Sequence, residues 1–551
     1  MRSWDRRDVL RVLAASGLAT MGAPAGLGRW PMPRRRTGSV AADARIEVLP
    51  SEPIGTIAPE IYGHFIEHLG GVIYDGVWVG EDSPIPNVGG IRRELVDALR
   101  AIRPAVMRWP GGCFADWYDW RDGVGPRERR PRRTNTWADS REIRDLGNIP
   151  QRFDPNAFGT NEFTRFCRLI GAEPYLAANV RTLPANVFHQ WIEYCNSPAG
   201  STTWSDVRAA EGGQEPLGVR FWGVGNESWG CGGDFTPEEY AAEFRRFSTW
   251  AVPGYGQPLS FIGAGPSGGD VDWTRRFFRA LRERNAVESM WGWALHHYCS
   301  AGGEAVKYSD TDWYDLLASA DRMESLITDH WQVMREVDRE HRVRLVVDEW
   351  GAWHKMTTNV APEHLFGQQS TIRDALVAAL TLDTFNRHAD KVAMANLAQL
   401  VNCIHSLFLA DGDRFVRTPS YHVFAMYAPH QGAQAVRTVF SAASVRWTDA
   451  EKAAREIWGL NGSASLADRR LTLTVTNPHL GEPRETEIAV RGAAVRAVRA
   501  TSLTARDPHD VNTFERADVV APRQADVAVR SAPLVYTFPP ASVTRLEIDL
   551  G

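Results

Sequence analysis

The chain is poor in cysteine, in any excess of one charge and in long apolar runs, and each shortage removes a class of protein. Its six cysteines in 551 residues stand at 113, 167, 195, 231, 299 and 403, with no Cys-x-x-Cys or Cys/His spacing. A zinc finger needs ligands at short regular intervals and a disulfide scaffold needs far denser cysteine, so neither organises this fold. No cofactor fingerprint or metal-ligand spacing is found elsewhere, and none is expected. The formal net charge is -5, with arginines scattered among acids, which excludes the basic field that nucleic-acid binding demands. Beyond the first 27 residues no apolar stretch is long enough to span a bilayer, so no membrane is expected for the mature chain. Internal repeats are also absent.

The N-terminus carries Arg6-Arg7 ahead of a small-residue apolar stretch from Val12 to Leu27. That order matches a twin-arginine export signal, and residues 29–42, with Arg34-Arg35-Arg36 and prolines, read as linker. Residues 1–42 are therefore expected to be signal and linker on an exported protein, periplasmic or extracellular.

Against these absences stand two apolar runs that end in acid. Val219 to Val224 leads into Gly225-Asn226-Glu227, and Arg344 to Val347 leads into Asp348-Glu349-Trp350-Gly351. A short continuous apolar run predicts a strand buried on both faces, and a polar residue where it stops lies at the rim of the sheet, where ligands bind. Glu227 and Glu349 are thus two strand-end carboxylates, the pair that glycoside hydrolysis uses as proton donor and as nucleophile or base. Twenty-one tryptophans offer flat apolar faces suited to sugar rings, although most are expected in the core.

Further strand ends fall at Glu67, Val106–Gly112, Tyr175–Asn179, Phe261–Ala264, Trp293–Tyr298 and Val392–Gln399. With the two acidic ones they make eight. Amphipathic stretches lie between them, among them Ile91–Ala101, Asn161–Ile170, Pro237–Trp250, Trp273–Arg284, Asp312–Val337 and Thr371–Ala389. Eight alternations predict a (β/α)8 TIM barrel over residues 58–428, with its chemistry at the carboxyl ends of the strands. Those ends are unusually polar: Glu67, Arg108, Asn179, Asn226, Glu227, His296, Tyr298, Glu349 and Gln399. Residues 429–551 change to short alternating runs with Gly, Pro and Asn turns, which predicts an antiparallel β-sandwich. The early strand at 43–57 has no barrel partner and is expected to join it. Cys113 and Cys231 each follow a predicted strand in a glycine-rich turn, which makes them candidates for one disulfide at the rim; the alternative is two unrelated thiols.

Six motifs in order then carry a resemblance: Tyr62 to Gly70 with Gly76 to Gly80, Arg108-Trp109-Pro110-Gly111-Gly112 with Asp122 to Pro126, Gly225-Asn226-Glu227, Leu295-His296-His297-Tyr298, Asp348-Glu349-Trp350, and Leu397 to Asn402 with Thr418 to His422. The chain resembles the glycoside hydrolase family 51 α-L-arabinofuranosidases across essentially all of its mature length. The resemblance implies retaining removal of terminal non-reducing α-L-arabinofuranosyl residues from plant cell-wall polysaccharides or their oligosaccharides, and a homo-oligomer. It implies Glu227 as acid/base on strand four and Glu349 as nucleophile on strand seven. Glu67, Asn226 and Gln399 would hold arabinose hydroxyls, Arg108, His296 and Tyr298 would orient the carboxylates, and Trp350 and Trp353 would wall the sugar site. The family commonly has asparagine where this chain has Cys113, which bears on the furanosides accepted. The competing functions are a β-xylosidase or endo-β-glucanase on the same barrel, and a non-catalytic carbohydrate-binding protein.

Overall fold

The computed structural model describes residues 43–137, 153–211, 213–251, 258–355, 364–529 and 533–551. Residues 1–42, on which the signal and linker were read, lie outside them. Eight strands, numbered here β1 to β8, form a closed barrel: β1 Gly63–Phe65, β2 Val106–Trp109, β3 Glu173–Ala177, β4 Phe221–Val224, β5 Ser260–Gly263, β6 Gly292–Cys299, β7 Arg344–Ala352 and β8 Val392–Ala398. Every pairing is parallel, and β8 closes on β1 through Asn396 opposite Gly63. The barrel is filled rather than hollow. Val106, Tyr175, Phe221, Ile262, Ala294, Val346 and Met394, one from each of β2 to β8, form a buried cluster of their own, as the layered interior of such a barrel requires.

The crossover helices are amphipathic and begin on side-chain caps. Thr236 accepts from the Glu239 amide while Glu239 accepts from the Thr236 amide, and Ser309 with Asp312 repeats the exchange. Each such box satisfies two donors that the first helical turn leaves open, a contribution of about 1 kcal/mol. The helix Ile372–Arg387 is the exception to amphipathicity: all its residues except Arg387 are buried, because it is wedged between the barrel and the C-terminal sheet.

That sheet has nine strands, in the order Arg523–Val527, Val495–Thr504, Ser542–Leu550, Arg470–Asn477, Asn461–Ala467, Gln434–Ala442, Ala44–Thr56, Arg484–Val490 and Leu534–Phe538. All neighbours run antiparallel except Ala44–Thr56 with Arg484–Val490. Val498 and Ala500 near one end of this order share a core with Leu534 and Phe538 at the other, so the sheet folds over on itself as a sandwich. The barrel and sandwich expected from the sequence pattern are both present. Among the described residues no helix is long and apolar enough to cross a membrane.

Candidate active site

Strand β7 brings two carboxylates to the barrel mouth by breaking the alternation of its own side chains. Opposite β6 its register runs Ala294 with Val346 and then His296 with Glu349, two residues on one strand against three on the other. This bulge lets Asp348 and Glu349 both turn inward. After it alternation resumes, so that Trp350 points out; on β6 His296 and Tyr298 face the site while His297 donates outward to the Ser319 carbonyl, at 2.7 Å. Glu227 follows β4 with φ of 36°, a left-handed backbone that costs a non-glycine residue of order 1–3 kcal/mol and is characteristic of functional turns.

Glu349 is buried and held at both oxygens. Arg108 Nη1 donates to Oε1 at 2.8 Å and the Tyr298 hydroxyl donates to Oε2 at 2.9 Å. Arg108 also donates to Asn226 Oδ1 at 2.7 Å and to the Asp348 carbonyl at 3.1 Å, and its guanidinium lies over the Phe65 ring. Carboxylate oxygens of Glu227 and Glu349 and a ring nitrogen of His296 lie within 4.8 Å of one another. The Glu227 side chain is 21% exposed and that of Glu349 7%, so Glu227 faces the solvent side of the cleft and Glu349 its floor.

One imidazole ties the carboxylates together. His296 Nδ1 is 3.0 Å from Glu227 Oε1 and 3.5 Å from Glu349 Oε2, and Nε2 is 3.1 Å from Asp348 Oδ1. Burial alone would lower its pKa, but Glu349, Asp348 and Glu227 outweigh that and lift it to about 10. His296 is therefore an imidazolium donating from both nitrogens at neutral pH. Asp348 is pulled the other way: against its burial, Arg108 and His296 hold its carboxyl at about 2, and Tyr175 donates to it at 2.8 Å.

Beside this cluster lies a second set of groups suited to hydroxyls. Glu67 accepts from the Phe114 amide at 3.0 Å and Trp137 Nε1 at 3.3 Å through one oxygen, and from Gln399 Nε2 at 3.0 Å through the other. Burial, reinforced by the Glu349 charge, pushes its carboxyl up to about 7. The Gln399 carbonyl oxygen is buried with no protein partner, an acceptor left for a ligand. The backbone between the two sets has to be glycine: a Cβ on Gly111 would meet Glu67 Cγ at 2.7 Å, and one on Gly112 would meet Glu349 Oε1 at 2.7 Å. Aromatic rings run along the same edge, with Trp137 against Phe366, Phe366 against Trp353 and Trp353 against Tyr298, at centroid distances of 5.8, 4.9 and 5.1 Å.

Of the tryptophans expected to wall the site, Trp353 stands beside it and Trp350 does not. Trp350 is buried behind the barrel against Phe385 and Phe424, because strand alternation sends it to the face opposite Glu349. Asn179 is satisfied locally, donating to Thr182 Oγ1 and the Tyr118 carbonyl. Sequence reasoning gave no role to Asp348 or Trp137. Asp348 was legible as a strand-end acid, but its inward turn depends on a bulge; Trp137 sits in a loop without pattern.

Cys113 and Cys231 are joined by a disulfide, with Cα atoms 5.6 Å apart. It links the loop after β2 to the loop after β4. Among the described residues two groups of donors come within metal-binding range of one another: Glu227, His296 and Glu349, already engaged as described, and Cys113, Glu227 and Cys231.

Two family models match the chain, an alpha-L-arabinofuranosidase 1 domain over residues 98–272 and an alpha-L-arabinofuranosidase C-terminal domain over residues 348–542. An intracellular exo-alpha-L-arabinofuranosidase of Bacteroides ovatus is 34% identical over 521 residues, covering 93% of this chain and 95% of the relative. An intracellular exo-alpha-(1->5)-L-arabinofuranosidase of Bacillus subtilis is 26% identical, covering 92% and 99%. The crystal structure of a GH51 arabinofuranosidase from Xanthomonas axonopodis pv. citri is 36% identical with a TM-score of 0.85, covering 92% of this chain and 100% of that one. Both curated relatives are named as intracellular enzymes, which overturns the expectation of an exported protein. That expectation rested on two arginines and an alanine-rich stretch, a short pattern that a basic tail also satisfies.

Proposed function

Because the chain belongs to the glycoside hydrolase family 51 α-L-arabinofuranosidases, and so is a glycosidase releasing arabinofuranosyl residues, we propose that it acts by double displacement, with Glu349 as nucleophile and Glu227 as acid/base. The observation that supports this reading is the closeness of the pair across His296, one oxygen of each carboxylate lying within 4.8 Å of the other. Retaining enzymes hold their carboxyls about 5–5.5 Å apart, whereas inverting ones leave about 6.5–9.5 Å for a water.

In the first step Glu349 attacks the anomeric carbon and forms the glycosyl ester, while Glu227 gives its proton to the departing oxygen. In the second, Glu227 takes a proton from water, the water oxygen bonds to the anomeric carbon, and Glu349 leaves. Arg108 and Tyr298 support the first step by holding the nucleophile's two oxygens in fixed orientation. His296, anchored by Asp348, holds Glu227 Oε1 in place by a hydrogen bond, while the proton that Glu227 gives up in the first step is the one it regains from water in the second. Glu67 and the free Gln399 carbonyl oxygen would accept from sugar hydroxyls, and Asn226, fixed by Arg108 and next in sequence to Glu227, would hold a further one. Exo action on terminal residues, including α-(1→5) linkages, is supported by the names of the relatives.

The test is NMR of the first-formed product from an aryl α-L-arabinofuranoside, where retained anomeric configuration is expected and inversion refutes the mechanism. Run against aryl β-xylopyranosides and β-glucopyranosides, the same assay separates this function from a xylosidase or glucanase.

A further inference from the structure

Cys113 and Cys231 are 118 residues apart in sequence, yet both sulfurs face the carboxylate of Glu227. Cys231 Sγ is 3.5 Å and Cys113 Sγ 3.9 Å from the same oxygen, Oε2. A tetrahedral zinc ion with Zn–S of about 2.3 Å and Zn–O of about 2.0–2.2 Å spaces its donors roughly 3.5–3.8 Å apart. The two sulfur–oxygen spacings are therefore near those of a metal site already, and only the two sulfurs have to separate. Each sits on a loop above the barrel rather than in a strand. The remaining cysteines, 167, 195, 299 and 403, are buried thiols, and among the described residues none joins a comparable donor set.

We propose that reduction converts this disulfide into a metal site, in which Cys113, Cys231 and Glu227 bind one soft divalent cation such as zinc and thereby switch the glycosidase off. The inhibitory half rests on Glu227 being the acid/base. A dithiol reductant supplies the two electrons: its thiolate attacks one sulfur, its second thiol closes on the first to leave as a cyclic disulfide, and Cys113 and Cys231 are released as thiols carrying the two protons. Zinc then displaces those two protons, together with the acid proton of Glu227, to solvent and binds two thiolates and a carboxylate, a donor set that suits such an ion. With Oε2 on the metal, Glu227 has no proton to give to a leaving oxygen, while Arg108, Tyr298 and Glu349 are untouched. Spacing along the sequence excludes a local zinc motif, but this donor set exists only where the loops after β2 and β4 meet.

The experiment compares full-length enzyme in the disulfide form with enzyme reduced by a dithiol and desalted without air. Zinc is titrated against a chromophoric chelator, and cobalt is added to look for sulfur-to-cobalt charge-transfer absorption. One zinc per reduced chain is expected, none above background for the disulfide form, and at least tenfold weaker binding in Cys113→Ser, Cys231→Ser and Glu227→Gln. Zinc should cut turnover of an alkyl arabinofuranoside by the reduced enzyme at least tenfold, reversibly on chelation. Equal uptake by both redox forms, unchanged affinity in Glu227→Gln, or loss of near-UV circular dichroism on reduction alone overturns the site. If zinc binds with the expected variant pattern but turnover is unchanged, the switch and the acid/base assignment fall and the metal site stands.

Discussion

Glu227 and Glu349 differ in what surrounds them, and their variants should differ accordingly. Glu349→Ala removes the group that forms the glycosyl ester and should abolish turnover on every substrate. Glu227→Ala should cost about 10²–10⁴-fold where the leaving oxygen needs a proton, and little with a nitrophenolate leaving group. Azide should restore part of the Glu227→Ala rate and give a glycosyl azide; equal losses on both substrates with no azide effect would reverse the roles. Glu67 presents a conflict between stability and use. Its carboxyl stays protonated up to about 7 in the folded protein against 4.5 as its ordinary value, so its contribution to stability is full below about 4.5 and is lost as pH rises through about 7. Glu67→Gln should remove that dependence and be up to about 3 kcal/mol more stable than wild type above pH 7, while binding arabinose less well. Thermal melts from pH 4 to 9 check the first part, and KM for an aryl arabinofuranoside the second.

At the scale of the element, the barrel does more than carry side chains to one end. The bulge in β7 turns Asp348 inward so that it can hold His296 and Arg108 together, and the paired glycines after β2 let the chain pass between Glu67 and Glu349. Gly112→Ala tests the second point. Its Cβ would land 2.7 Å from Glu349 Oε1, so the carboxylate, otherwise pinned by Arg108 and Tyr298, would have to shift against those bonds. A displacement near 1 Å at a reacting group costs on the order of 10²-fold in rate. The expected result is a ten- to hundredfold fall in kcat with the melting temperature lowered by only a few degrees; an unchanged kcat would mean that Glu349 is not held where it reacts.

The whole molecule holds together through a shared core and a buried acid. Ala435, Val445, Ile457, Leu503 and Val543 of the C-terminal region belong to the hydrophobic cluster of the barrel. Asp383, on the helix wedged between the two, accepts from Ser463 at 2.7 Å, Thr474 at 2.6 Å and Tyr427 at 2.8 Å. Trp447 and Trp458 donate across the same boundary to Asp315 and Asp321. Barrel and sandwich should therefore melt in one calorimetric transition. Asp383→Ala, which removes the acceptor shared by Ser463, Thr474 and Tyr427, should lower stability by about 1–3 kcal/mol without splitting that transition. Two resolved peaks in the wild type would show that the domains are independent.

Sequence alone determined the eight-stranded alternation, the sandwich after it, and Glu227 and Glu349 as strand-end acids, because burial on both faces writes a strand as a continuous apolar run whose end is visible one residue at a time. It also placed Glu67, Arg108, His296, Tyr298 and Gln399 at the rim. Tertiary structure alone decided which way neighbouring side chains point. Trp350 and Trp353 are three residues apart with the same chemistry, yet one packs behind the barrel and the other stands beside Tyr298, and Asp348 joins the site only because β7 carries one residue more than its neighbour. Cys113 and Cys231 were legible as candidates for one rim disulfide, each following a strand in a glycine-rich turn, but their seat over Glu227 was not, since only barrel closure brings together loops 118 residues apart.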